Sequence, residues 1–122
     1  MSQESYVELH TRSAFSFLRG ASQPEALVRK AAEMGYSRAA LCDRGGFYGS
    51  ARCHFAGREA GLGHPIVGSE VPMEDGSVLP VLVSTRTGYR NLCRLFTDAH
   101  LRTEKGQSRV GWEEIAVAAD GL

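Results

Sequence analysis

The stretch from Arg38 to Gly46 constrains the fold of this chain most strongly. Small and apolar residues occupy Ala39–Cys42, and Asp43, Arg44 and two glycines follow directly. A short apolar run that ends in charged residues and a glycine turn is typical of a buried strand leading into a loop. In α/β folds the loops after the carboxyl ends of the strands meet in one crevice, where ligands bind. We therefore expect the functional site of this chain at Asp43 and Arg44.

Two other predicted strands also carry polar side chains near their carboxyl ends. The segment Tyr6–Arg12 alternates enough to be a strand and ends in His10-Thr11-Arg12, and the strand predicted over Ile66–Val71 carries Glu70. If these strands lie in one sheet with Ala39–Cys42, the three strand ends build one site.

Helical patterns alternate with these strands. The pattern Ser22-Gln23-Pro24-Glu25 resembles a capping box with proline in the first turn, which predicts a helix start, and Gly35 predicts the end of that helix. A second helix is predicted over Tyr48–Ala60, followed by a hairpin of residues 71–73 and 78–83 that turns at Asp75-Gly76. A third helix is predicted from a Thr87 cap to His100, and an exposed loop is predicted over Leu101–Arg109. A short last helix is predicted with Trp112, Ile115, Ala116 and Ala119. This βαβ rhythm predicts an α/β fold with mostly parallel strands.

The apolar residues within the predicted helices recur at helical spacing. They are expected to face the core and are Leu27, Val28, Ala31 and Met34 in the first helix, Ala51, Phe55 and Ala56 in the second, Tyr89, Leu92, Cys93, Phe96 and Ala99 in the third, and Trp112 with Ile115 in the last.

Length and composition indicate one globular domain. The chain has 122 residues, with 43% hydrophobic and 23% charged residues, which is enough for a real core. Fourteen basic and fourteen acidic residues cancel, so no overall field draws the chain to DNA or to a membrane.

Three cysteines and the amino-terminal residues bear on the compartment. Cys42, Cys53 and Cys93 are odd in number and lack C-x-x-C spacing, so buried free thiols are expected rather than disulfides or a zinc ribbon. Residues 1–5 are polar and predict no signal peptide, and no apolar run approaches the roughly 20 residues of a membrane span. A cytoplasmic location is the expectation.

The three strand-end motifs resemble those of a known family. Leu9-His10-Thr11-Arg12-Ser13, Leu41-Cys42-Asp43-Arg44-Gly45 and the segment Pro65–Val71 are similar to the opening motifs of the PHP (polymerase and histidinol phosphatase) superfamily. The closest variant is the N-terminal domain of the α subunit of bacterial DNA polymerase III, of the error-prone type. Three more segments strengthen the resemblance, which covers the chain from Tyr6 onward: Gly46–Arg52, Gly88–Leu95 and Ala99-His100-Leu101.

The resemblance implies a distorted, TIM-like β/α barrel with a metal cluster at the carboxyl ends of its strands. Because a β/α barrel takes about 200 residues or more, residues 1–122 are expected to be the N-terminal portion of a PHP domain, either truncated or part of a longer chain. An open half-barrel would otherwise leave an unpaired strand edge.

Two residues depart from the pattern of the family. Arg12 stands at the second histidine of the His-x-His motif, and Arg44 stands at the histidine of the Asp-His motif, whereas His10, Asp43 and Glu70 match. A guanidinium group has no lone pair for a metal and is always charged. We therefore expect no resident cofactor. The alternative is a divalent ion (Zn, Mn or Mg) on the three matching residues, if the degenerate site still binds one.

The resemblance implies a metal-degenerate, non-catalytic PHP domain in which Arg12 and Arg44 neutralise Asp43 and Glu70 by salt bridges. The parent protein would be a DNA polymerase III α-like, error-prone DNA polymerase acting in replication or repair. Its partners would be the remainder of the polymerase chain, replication or lesion-bypass proteins, and DNA through the parent. This fragment itself would be inactive.

Two alternatives remain open. The first is a metal-dependent phosphoesterase or 3′–5′ exonuclease, in which a metal-activated water attacks phosphorus. The second is a non-enzymatic phosphate-binding module that uses Arg12, Arg44 and the amides of Gly45 and Gly46.

The other histidines have simpler interpretations. His54 and His64 are expected at the surface. His100 is expected to cap the C-terminus of its helix, where the helix dipole favours a cation.

Overall fold

The computed structural model describes residues 6–122, so the expectation for residues 1–5 lies outside the described residues. The elements in chain order are α1 (Pro24–Glu33), β1 (Ala40–Arg44), α2 (Ser50–Ala60), β2 (Ile66–Pro72), β3 (Val78–Leu82), α3 (Arg86–Leu101) and α4 (Trp112–Ala118). The predicted α/β class is confirmed. Within this range, no helix has the length and apolar character to cross a membrane.

The sheet has three strands in the order β1-β2-β3. β1 and β2 are parallel, and their register places Asp43 beside Ser69 and Arg44 beside Glu70. β2 and β3 form the predicted hairpin and are antiparallel, with a turn in which Asp75 Oδ1 accepts a hydrogen bond from the Ser77 amide. One of the two strand pairs is thus parallel, and over residues 6–122 the sheet is a small mixed one rather than a closed barrel.

The segment Tyr6–Arg12 is not a strand, so this part of the predicted sheet was wrong. It lies beside β1, where the Cys42 amide donates to the Thr11 carbonyl at 2.7 Å. The Glu8 carboxylate accepts hydrogen bonds from the Tyr6 hydroxyl and the His10 amide. Such local side-chain hydrogen bonds compete with the regular backbone hydrogen bonds of a sheet. The alternation of residue types in this segment was therefore not sufficient to predict a strand.

The predicted helix starts need small corrections. Gln23 is the N-cap of α1 and makes no side-chain capping bond, so the Ser22 capping box does not form. α2 begins at Ser50 rather than Tyr48. The cap of α3 is Thr85 rather than Thr87, and its hydroxyl accepts a hydrogen bond from the Gly88 amide at 3.1 Å.

Two hydrophobic clusters form the core. The larger one packs α3 against β2 and the loop before α4 and contains Val71, Met73, Leu92, Leu95, Phe96, Ala99 and Val110. The smaller one joins α1 and α2 to β1 and contains Val28, Leu41, Cys53 and Ala56. The two clusters lie on the same face of the sheet, because Leu41 of β1 pairs with Val67 of β2 and Val71 lies on the Val67 face of β2.

Some residues expected in the core are exposed instead. Trp112 is 53% exposed and its indole N–H donates to Asp75 Oδ2 at 2.9 Å, so it links α4 to the hairpin turn. Phe55 is exposed because α2 buries the face of Cys53, Ala56 and Gly57. Residues also exposed against expectation are Met34, Ala51, Tyr89, Ala116 and Ala119.

The cysteines follow the expectation in part. All three are free; Cys42 and Cys53 are buried, whereas Cys93 is only partly buried. Desolvation by burial raises the pKa of both the Cys42 and the Cys53 thiol to about 11.

Candidate functional site

Asp43 lies at the carboxyl end of β1 and is 1% exposed. Its Oδ1 accepts hydrogen bonds from the Ser13 amide at 2.7 Å and the Ser16 hydroxyl at 2.6 Å, and its Oδ2 accepts one from the Ser13 hydroxyl at 2.7 Å. The Ser16 hydroxyl also accepts a hydrogen bond from the Arg44 amide at 3.1 Å. Asp43 therefore holds the Ser13–Ser16 loop against β1, and this loop satisfies the buried carboxylate.

Glu70 lies on β2 and is 3% exposed. Its Oε2 is 2.7 Å from His10 Nε2, and its Oε1 is 3.4 Å from Arg44 Nε and 3.9 Å from Arg12 Nη1. One buried carboxylate is thus surrounded by three basic side chains. The expected neutralisation by Arg12 and Arg44 occurs at Glu70, whereas Asp43 makes no ion pair within residues 6–122.

The turn after β1 is fixed by β2. The Gly45 amide donates to the Glu70 carbonyl at 2.9 Å, and the Gly46 amide donates to the Ser69 hydroxyl at 3.1 Å. The Ser69 hydroxyl in turn donates to the Asp43 carbonyl at 2.6 Å. Both glycine amides are therefore used inside the protein, and neither is free to cradle a phosphate as the sequence suggested.

Ser13, Ser16 and Ser69 are site residues that the sequence analysis missed as participants. Each is buried and bonded to Asp43 or to the turn beside it. Their positions in the sequence could have indicated this role, because Ser13 and Ser16 follow the motif His10-Thr11-Arg12 and Ser69 directly precedes Glu70.

His100 reaches the same turn from α3. Its Nε2 lies 3.0 Å from the Gly45 carbonyl oxygen, and its Nδ1 contacts the Ser108 hydroxyl. The ring therefore joins the turn after β1 to the loop after α3, and the capping role expected from the sequence is replaced by this bridge. His54 and His64 stack on one another with ring centroids 5.2 Å apart; His64 is exposed and His54 is half-buried.

The residues proposed for metal binding do not form a cluster for a divalent ion. In the part of the chain that the structure describes, no three His, Cys, Asp or Glu residues are placed to hold one. His10 and Glu70 contact each other, Asp43 faces serines, and two guanidinium groups flank Glu70. Every buried side-chain nitrogen and oxygen of residues 6–122 also has a partner, so the donors present do not fit the metal centre that the family resemblance implies.

A parallel strand pair with polar side chains at its carboxyl ends defines an α/β protein with a site at the strand ends. The chain belongs to the PHP domain family, because the family model described as "PHP domain" matches residues 8–122. The resemblance seen in the strand-end motifs is thereby confirmed.

The curated relatives that the chain matches are error-prone DNA polymerases. The chain is 42% identical over 117 residues to an error-prone DNA polymerase of Rhodopirellula baltica, which covers 96% of this chain and 10% of that protein. It is 48% identical over 106 residues to an error-prone DNA polymerase of Dechloromonas aromatica, which covers 87% of this chain and 10% of that protein. The chain therefore spans about one tenth of the length of these relatives, which are larger polymerases.

A solved structure shows the same fold. A protein of Bifidobacterium adolescentis described as a metal-dependent phosphoesterase matches 95% of this chain and 50% of its own, with a TM-score of 0.61 and 19% identity. At this identity the likeness supports the fold and leaves the chemistry of the site to the residues present.

Proposed function

We propose that this chain is a metal-degenerate, non-catalytic PHP domain of a DNA polymerase III α-like, error-prone DNA polymerase that acts in replication or repair. The observation that carries the proposal is the set of contacts around Glu70. His10, Arg12 and Arg44 surround this buried carboxylate at the strand ends, where the family resemblance implies a metal cluster.

The charge at Glu70 explains why the site would be stable without a metal. A buried carboxylate is costly unless it is paired and hydrogen-bonded. Arginine stays charged at any working pH, so Arg12 and Arg44 compensate Glu70 permanently. The same fixed charges repel a divalent cation that approaches the carboxylate.

A second part of the proposal concerns the fold of the whole domain. We infer that residues 1–122 are the N-terminal portion of a distorted β/α barrel, with the rest of the barrel supplied by a longer chain. The parallel β1–β2 pair, whose two hydrophobic clusters lie on one face as the outer helices of a β/α barrel require, supports this inference, as does a structural neighbour twice the matched length. The whole protein would act in the bacterial cytoplasm, with the polymerase chain, replication or lesion-bypass proteins and DNA as its partners.

Metal analysis tests the non-catalytic assignment. The protein is purified without added metal, its Zn, Mn and Mg are measured by mass spectrometry, and hydrolysis of a generic phosphodiester is followed with and without Mn²⁺. We expect no stoichiometric metal and no hydrolysis. Tightly bound metal together with chelator-sensitive hydrolysis would overturn the proposal and support the metal-dependent phosphoesterase.

A double variant provides a matched comparison. Arg12→His with Arg44→His restores lone-pair donors at the two positions where the family pattern has histidine. If arginine is what excludes the metal, we expect the double variant to retain more Mn²⁺ or Zn²⁺ than the natural sequence when both are dialysed against the same metal buffer. Equal retention would show that the two arginines do not decide metal binding.

A further inference from the structure

Two adjoining cavities lie beside Arg44. The first has a volume of about 200 Å³ and lies between the turn after β1, α3 and the loop after α3. The second has a volume of about 330 Å³ and extends to Arg19 and the β2–β3 hairpin. The two cavities share Arg44, Pro72, Gly106 and Arg109, and we call the combined depression the arginine groove.

The arginine groove is basic in a chain with no net charge. Arg19, Arg44 and Arg109 line it, and none of the described lining residues is acidic. Each of these arginines lies on a different part of the chain, so the fold brings them together. The groove is therefore a local concentration of positive charge.

The three guanidinium groups keep donors available. Arg19 is exposed, and its side chain has no hydrogen bond or ion pair within residues 6–122. Arg109 donates from Nη1 to the Ser108 carbonyl at 2.7 Å, and Arg44 uses Nε toward Glu70. The remaining N–H groups have no partner among the described residues, so they can donate to an anion in the fork geometry that suits phosphate oxygens.

The walls of the groove are held in place by the fold. His100 connects the Gly45 carbonyl to Ser108. The loop that carries Arg109 is tied to the end of β2, because the Val110 amide donates to the Pro72 carbonyl at 2.9 Å. A preformed groove loses less conformational entropy on binding than a flexible one.

An aromatic ring adjoins the charge. Tyr48 and Arg44 both line the first cavity, and Tyr48 is exposed. Proteins that bind single-stranded nucleic acid combine a basic groove along the backbone with aromatic side chains on which bases stack. The arginine groove and Tyr48 have both parts of this arrangement.

We propose that the arginine groove binds the phosphodiester backbone of single-stranded DNA, with a neighbouring base stacked on Tyr48. This site goes beyond the proposed function, because it needs neither a metal nor a reaction at Glu70. The phosphate lies against Arg19, Arg44 and Arg109, and no bond is broken.

Fluorescence anisotropy with a labelled oligothymidylate of about ten nucleotides tests the site. The measurement is made in EDTA at low salt and repeated at rising salt, with the double variant Arg19→Ala and Arg109→Ala. We expect the double variant to weaken binding at least tenfold and to reduce the salt slope by about 1.4, from roughly 0.7 for each lost phosphate contact on a single strand. Circular dichroism verifies that the variant is folded, which is expected since both side chains are exposed.

One control variant and one further variant test whether oligonucleotide binding depends on the arginine groove and on Tyr48. Arg58→Ala removes an exposed arginine of α2 that lines neither cavity, and it should bind like the natural sequence. Tyr48→Ala should weaken binding several-fold without changing the salt slope, since stacking carries no charge.

The outcomes separate the possibilities. No oligonucleotide binding by the natural sequence, or equal binding by the double variant, would overturn the site. Competition by inorganic phosphate at matched phosphate concentration, with no effect of Tyr48→Ala, would show an anion site only and overturn the strand assignment. Binding that is absent in EDTA but appears when Mn²⁺ replaces the EDTA would move the ligand to a metal at Glu70 and contradict both this inference and the proposed function.

Discussion

Two polar clusters of this chain use similar groups in different surroundings. The strand-end cluster, formed by Asp43, Glu70 and their partners, has carboxylates that are 1% and 3% exposed. The second cluster, which we call the α3–α4 cluster, contains Asp75, Arg102, Trp112 and Glu114, and the side chain of Glu114 is 32% exposed. Burial, rather than the identity of the charged groups, decides how much each cluster contributes to the free energy of unfolding, because water and salt screen exposed charges.

The α3–α4 cluster shows that good geometry can coexist with exposure. Arg102 contacts both carboxylate oxygens of Glu114, with Nη2 at 2.8 Å from Oε2. This contact lowers the pKa of Glu114 and raises the pKa of Arg102. Exposed pairs of this kind still contribute little to stability, since the free partners are well solvated.

The largest expected effect is at Asp43. Asp43→Ala would leave the Ser13 amide and the Ser13 and Ser16 hydroxyls without their buried acceptor. At about 1–3 kcal/mol for each unsatisfied group, we expect a loss of about 3 kcal/mol or more in the free energy of unfolding, measured by urea denaturation. Asp98→Ala, at an exposed carboxylate of α3 with no side-chain hydrogen bond within residues 6–122, is the matched control and should change stability little. Similar losses for both variants would contradict the comparison.

The next effect separates the two arginines at Glu70. The Arg44 side chain is 25% exposed and 3.4 Å from the carboxylate, whereas Arg12 is 37% exposed and 3.9 Å away. We expect Arg44→Ala to cost about 1–2 kcal/mol and Arg12→Ala less than about 1 kcal/mol, because the closer and more buried charge is less screened. A larger loss from Arg12→Ala in urea denaturation would show that the more exposed arginine compensates Glu70.

A smaller effect is expected at Glu114. Glu114→Gln removes the charge of an exposed pair, so the free energy of unfolding should fall by less than about 1 kcal/mol. The difference between variant and natural sequence should shrink further in 1 M salt, where exposed charges are screened. If Glu114→Gln lowered the free energy of unfolding as much as Asp43→Ala, burial would not determine how much a charged group contributes to stability.

The smallest effect is a change in the pH profile at Asp75. Hydrogen bonds from Ser77 and Trp112 lower the pKa of Asp75 from 3.8 to about 2. A lowered pKa in the folded state gives stability above the unfolded pKa that is lost as pH falls through the folded pKa, which places the change between about pH 4 and pH 2. We expect Asp75→Asn to flatten the stability profile in this range, to lower stability near pH 7, where the natural carboxylate is ionised, and to leave the slope of the profile near pH 7 unchanged. Thermal unfolding followed by tryptophan fluorescence checks this, and a slope equal to that of the natural sequence would contradict it.

The sequence determined several features of this protein through local patterns. The apolar run before Asp43 became β1, Asp75-Gly76 became the turn of the hairpin, and the periodic residues Leu92, Phe96 and Ala99 became the buried face of α3. The strand-end motifs also identified the family. These features depend on residues close together in the chain, so the order of residue types is sufficient to predict them.

Only the tertiary structure decided how the polar groups pair. Arg12 and Arg44 both face Glu70, while Asp43, which has the same charge, is satisfied by Ser13 and Ser16. These partners are separated by tens of residues, and a local pattern carries no information about which donor reaches which acceptor. Burial is equally nonlocal: Trp112 looked like a core residue by spacing, yet its indole N–H and exposed ring lie over the hairpin turn because no other element covers α4 there within the described residues.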